Sequence, residues 1–185
     1  MSQLMLSDFV ETTSKKFNIP GVAVGVWADG TEISACHGVT SVDNALPIDQ
    51  DTLFIIASVT KTFTATTLMR LVAEGKVELH APVRRYVPEF RLKDQQAADK
   101  ITVLHLLNHT AGLDWRVNAD TGEGDDALAR SVAKMAEMEL IALPGTRTSY
   151  SQAGYNLLGR IIEKVTGQTF DQAVASLVFE PLGSE

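Results

Sequence analysis

The chain has 185 residues, 45% of them hydrophobic and 21% charged, with a net charge of -7. That balance suits a globular protein with one good-sized core. The acidic excess sets aside nucleic-acid binding, which needs clustered Lys and Arg against phosphates.

The spacing of Leu6, Phe9, Val10 and Phe17 predicts a helix over Leu4–Phe17, stopped by "NIPG". In "GVAVGVWADGTEISACHGV", Val22, Val24 and Val26 alternate on one strand face, and Ile33, Ala35 and His37 on the next. Asp29-Gly30 between them is a tight-turn signal, because glycine accepts positive φ without steric cost. The stretch is a β-hairpin. The one cysteine, Cys36, falls in its alternating pattern and reads as a small buried hydrophobe. A single cysteine allows no internal disulfide framework.

From Ser58 the chain turns helical. Leu68, Leu71 and Val72 make one apolar face, and Gly75 supplies the stop. "TVLHLLNHTAG" is a short helix that Thr102 can cap, with Gly112 in the turn after it. Asp125 or Asp126 caps a helix carrying Leu128, Val132 and Met135. Tyr155, Leu158, Ile162 and Val165 form another face, closed by Gly167. Thr169 and Gln172 then make a capping box for a helix whose inner side holds Phe170, Val174, Leu177 and Val178. "PEFRLKDQQAADK" and "DWRVNADTGEGDD" read as polar loops. Lys15-Lys16 and Arg84-Arg85 are isolated pairs of the kind a solvated helix face carries. A lone hairpin is marginal by itself, so further strands of its sheet are expected outside this chain.

Ser-x-x-Lys occurs twice, where chance alone supplies on the order of one match in such a chain. Ser131-Val132-Ala133-Lys134 lies in the middle of an amphipathic helix and reads as exposed helix surface. Ser58-Val59-Thr60-Lys61 stands where the extended stretch "LFIIA" passes into a helix. Free N–H groups and the dipole at a helix mouth favour developing negative charge. Three-residue spacing puts Lys61 on the same face, about one turn further in. A serine hydroxyl needs such a partner to act as a nucleophile. The other reading of Ser58 is a simple N-cap. Tyr150, just before a helix in a run of small polar residues, is a second candidate, since a phenol near cations can shuttle protons. Tyr155 lies on the apolar face and reads as core. His105 and His109 are four apart, as zinc ligands on a helix can be, but no glutamate follows His105 and no third ligand is near. No metal or other cofactor is expected. No serine sits in a Gly-x-Ser-x-Gly elbow.

The ordered blocks "GVAVGVWADGTEISACHGV", "DTLFIIASVTKTFTATTLMRLVAEGKVELHAPVRRYVPEF", "ITVLHLLNHTAGL", "SYSQAGYNLLGRIIEKVTGQTF" and "FEPLG" resemble the serine β-lactamase and penicillin-binding-protein superfamily. The branch they resemble holds class C β-lactamases, D-alanyl-D-alanine carboxypeptidases and related esterases, and Ser-x-x-Lys is that superfamily's known signature. The resemblance implies an α+β fold of the β-lactamase type. Residues 1–57 would give the helix and hairpin of its sheet, and residues 58–185 a mostly helical domain. It also implies roles: Ser58 as the acylated nucleophile, Lys61 as its partner, and Tyr150 as a proton shuttle. Which of Lys61 and Tyr150 is the base in each step stays open. The Ser58 N–H would be one oxyanion donor.

Two departures stand out. Gln152 occupies a position where lactamases and peptidases of this branch usually carry asparagine, so it is a candidate substrate-binding residue whose extra methylene shifts contacts. The family's last motif, a Lys/His-Thr/Ser-Gly strand, has no counterpart, and "HTAG" at 109–112 comes too early to be it. The chain therefore reads as lacking the C-terminal strands of the sheet. The expected function is a serine hydrolase acting on small esters or amides, with a β-lactam or a D-Ala-D-Ala peptide as alternative substrates. A non-catalytic sensor, scaffold or inactive fragment is the alternative of another class. A complementing C-terminal segment or an oligomer partner would cover the unfinished sheet. No apolar run approaches the ~18 residues of a membrane span. Nothing at the start reads as a signal peptide. The cytoplasm is the expected location, or the periplasm or exterior if a leader has been removed.

Overall fold

The computed structural model describes residues 2–114 and 121–183. The chain forms two compact units, 1–55 and 56–185.

The first unit is a helix on a hairpin. Helix α1 (Gln3–Phe17) starts at Ser2, whose hydroxyl accepts from the Met5 N–H, and ends at Asn18 in the left-handed conformation. Strands β1 (Gly21–Ala28) and β2 (Thr31–Gly38) pair antiparallel, with Ala28 opposite Thr31. The two-residue turn has positive φ at both Asp29 (51°) and Gly30 (75°), the twist-matched geometry that hairpins favour. Leu6, Val10 and Ala35 form a small buried cluster, with Val22, Val24, Val26 and Ile33 packed against it. Phe9 and Phe17, counted above with the apolar face, are instead 64% and 65% exposed. The helix offers its 6–10–14 row to the hairpin, and Ser14 rather than Phe17 continues that row. Cys36 is only half-buried, because its side chain alternates onto the face away from α1. Trp27, on that same face, is 72% exposed.

The second unit is helical. Helix α2 (Thr60–Ala73), α3 (Gln95–Ala98), α4 (Val103–Leu107), α5 (Ala127–Lys134), α6 (Gln152–Thr166) and α7 (Phe170–Val174) follow in order. Leu157, Leu158, Ile161 and Ile162 of α6 are completely buried. They share one cluster with Leu68 and Leu71 of α2, Leu106 of α4, Val132 of α5 and Ala173 of α7. Burying each such side chain is worth about 1.5–3 kcal/mol. Gly159 lets α5 come close: a Cβ there would lie 2.9 Å from the Leu128 Cδ1. The predicted capping box forms at Thr169/Gln172, and the expected cap at Thr102 is a full capping box as well, with the His105 side chain accepting from the Thr102 N–H.

Three further expectations need correction. The supposed loop over 88–100 contains α3: the Asp94 carboxylate accepts from the Ala97 N–H at 3.0 Å, and Ala97 and Ala98 are buried. An alanine pair supplies too little hydrophobicity to show as a period. Asp126 stands at the N-cap of α5 but caps nothing; its carboxylate pairs with Arg130 instead. Ser131 is 8% exposed, not surface, because α5 turns this side towards α6. The loop expected over 114–126 falls partly on 115–120, outside the described residues. Among the described residues no helix is long and apolar enough to cross a membrane, and the sheet has two strands.

Candidate active site

Ser58 lies in a single 3-10 turn, Ala57–Val59, just ahead of α2. It is not the N-cap of α2: Val59 holds that position, and no side chain caps the helix. Ala57 has φ 45°, a left-handed conformation that costs a non-glycine residue on the order of 1–2 kcal/mol. The strained residue immediately precedes Ser58 and turns the chain sharply into the helix. Ser58 is exposed.

Two segments distant in sequence converge here. The Tyr150 hydroxyl donates to the Ser58 Oγ at 2.7 Å. The Lys61 ammonium donates to the Gln152 Oε1 at 2.5 Å and lies 4.8 Å from the Tyr150 ring centroid. All four predicted site residues thus meet in one place. Hydrogen bonding to Lys61, foremost, then to Ser58, holds the Tyr150 phenol below its ordinary pKa, and the Lys61 charge adds to this. Tyr155 moves the opposite way: burial raises its phenol, and so does the nearby Tyr150. Tyr155 packs against the core as predicted, yet its ring also lines the site.

Gln152 opens a chain of amides. Its Nε2 donates to the Asn156 Oδ1 at 3.0 Å, and the Asn156 Nδ2 donates to the Ser131 Oγ at 3.0 Å. Four-residue spacing on α6 puts Gln152 and Asn156 on one face. That signal was readable in the sequence; the Ser131 end of the chain was not. A pocket of about 380 Å³ opens beside Ser58. Lys61, Gln152 and Asn156 form its polar wall, and Leu128 and Phe170 its apolar one.

The segment that carries Tyr150 lies along the chain just after α4. Thr110 O accepts from the Gly145 N–H at 2.8 Å, and Gly112 O from the Ile141 N–H at 2.9 Å. The two histidines weighed as metal ligands use their Nδ1 atoms otherwise. That of His105 accepts from the Thr102 N–H and that of His109 from the Ser151 N–H. Among the described residues no group of three or more His, Cys, Asp or Glu is placed to hold a metal ion.

The family model described as Beta-lactamase matches residues 6–185. The chain belongs to the beta-lactamase family. Among its relatives, a protein named Penicillin-binding protein 4 from Amycolatopsis lactamdurans is 38% identical over 166 residues, covering 90% of this chain and 44% of that protein. Esterase EstB from Burkholderia gladioli is 36% identical over 161 residues, covering 80% of this chain and 41% of its own length. A solved class C beta-lactamase superposes with a TM-score of 0.81 at 29% identity, covering 96% of this chain and 48% of that one. The beta-lactamase-family chain described here thus spans less than half the length of these relatives.

Proposed function

We propose that this protein is a serine hydrolase that cleaves small esters or amides through a covalent acyl-enzyme on Ser58. The observation that carries the proposal is the Tyr150–Ser58 hydrogen bond of 2.7 Å, made by a phenol whose pKa Lys61 lowers. A phenol depressed in this way is a better proton acceptor near neutral pH than a free tyrosine, so it suits general-base work beside a serine. Once the pair has lost one proton, leaving a Tyr150 phenolate beside the Lys61 ammonium, the Ser58 Oγ attacks the substrate carbonyl and its proton passes to the Tyr150 oxygen. A tetrahedral oxyanion forms, with the Ser58 N–H as one donor. The intermediate collapses as the bond to the leaving group breaks, and Tyr150 returns the proton to that group. Water, deprotonated by the same pair, then releases the acid and frees Ser58.

Esters are the preferred substrate class. Gln152 projects a longer amide than asparagine would, and here it is engaged by both Lys61 and Asn156, which leaves the amide fewer free sites for a peptide or lactam carbonyl. A relative that is an esterase by name is 36% identical. The similarity to a penicillin-binding protein supports a second reading, β-lactam or D-Ala-D-Ala recognition. The test is labelling with a fluorophosphonate and with a penicillin, followed by peptide mapping, and then a panel of short-chain esters, a chromogenic cephalosporin and a D-Ala-D-Ala peptide. Label on Ser58 with ester turnover is the expected result. Slow label without turnover would make the protein a sensor, and well-folded protein with no label on Ser58 would overturn the hydrolase reading.

A further inference from the structure

Tyr150 needs something to hold it. It is 49% exposed and precedes α6 rather than lying within it, so the helix does not fix it. One residue grips the backbone on both sides of it. The main-chain oxygen of His109 accepts from the Ser149 N–H at 2.8 Å, and the His109 Nδ1 accepts from the Ser151 N–H at 3.1 Å. The imidazole also lies against the Tyr150 ring, 4.7 Å between centroids at 35°, and against the Tyr155 ring at 5.0 Å and 32°. His109 makes these contacts at φ 60°, an uncommon conformation for a non-glycine residue.

We propose that His109 is a positioning residue that sets the place of Tyr150 over Ser58, and that it does so only as a neutral imidazole. The proposal rests on the hydrolase reading of Ser58 and Tyr150. An Nδ1 that accepts from a backbone N–H carries no proton, so the ring is the Nε2–H tautomer. Protonation would set an N–H against the Ser151 N–H and open one side of the grip. The titratable groups facing the ring are Lys61 from α2, Tyr150, and Tyr155 from α6. Burial first, then the Lys61 charge, disfavours the imidazolium, which agrees with the geometry.

Two substitutions separate the grip from mere packing. His109→Asn offers an oxygen where Nδ1 stands and tolerates positive φ; His109→Ala offers neither. The expected result is that His109→Ala lowers kcat for a short-chain ester about 10- to 100-fold with KM within about threefold, as for loss of an interaction realised in the transition state, while His109→Asn restores most of the loss. In addition, 13C NMR of the tyrosine ring should show the Tyr150 ionisation moving back towards its ordinary range in His109→Ala and not in His109→Asn. Equal kcat in wild type and His109→Ala, or equal losses in both variants, would overturn the proposal. If no ester acylates Ser58, the hydrolase reading fails. The tyrosine titration still decides the grip, because an unmoved Tyr150 in His109→Ala would refute it without any turnover.

Discussion

Ser58 and Ser131 each stand three residues before a lysine, yet Ser58 is exposed on a 3-10 turn and Ser131 is 8% exposed inside α5. The Ser58 Oγ accepts from Tyr150, and Lys61 is half-buried beside Gln152. The Ser131 Oγ accepts from Asn156, and Lys134 is exposed. Helical spacing puts serine and lysine on one side in both copies. What differs is what each side meets: a polar loop and a pocket for the first, the flank of α6 for the second. The two copies are also linked, since Asn156 joins Ser131 to Gln152, and Gln152 accepts from Lys61.

The largest expected difference between the copies is in covalent labelling. Ser58→Ala should lower the rate of fluorophosphonate labelling or ester turnover by about 10⁴-fold or more, as loss of a serine nucleophile does. Ser131→Ala should leave label on the same peptide by mass spectrometry. Equal loss in both would erase the distinction. Next in size, Lys61→Ala should cost about 10²- to 10⁴-fold in turnover, in the range of general acid–base contributions. Lys134→Ala should change the rate less than twofold, by the same assay.

A pH titration sharpens the comparison at Tyr150. A phenol held below its ordinary value of about 10 ionises earlier as pH rises. Any contribution of the phenolate is complete above that ordinary value and is lost as pH falls through the depressed one. Ultraviolet difference titration should therefore show Tyr150 ionising below the ordinary tyrosine range and Tyr155 above it. Lys61→Ala should bring Tyr150 up further than Ser58→Ala does, since Lys61 is the larger cause. The reverse order would remove Lys61 from its role. The smallest effect belongs to the second copy. Ser131→Ala leaves the Asn156 Nδ2 without its acceptor and should cost about 1–3 kcal/mol in urea denaturation.

The sequence by itself determined the elements whose cause is local. Asp29-Gly30 fixes the hairpin register because both residues accept positive φ. Thr102 and Thr169 start their helices because a hydroxyl three residues ahead of an N–H satisfies it wherever the rest of the chain goes. Ser58, Lys61 and Tyr150 were candidates from their local context, and Gln152 and the grouping of the four came from the resemblance of the ordered blocks to the superfamily. Only the tertiary structure decided the strained turn at Ala57, the burial of Ser131, the amide chain through Asn156 and the grip of His109 on both neighbours of Tyr150. Those depend on which segments, dozens of residues apart, come within about 3 Å of one another. A hydrogen bond or a buried face exists only where such segments meet, and no local period in the chain records where that will be.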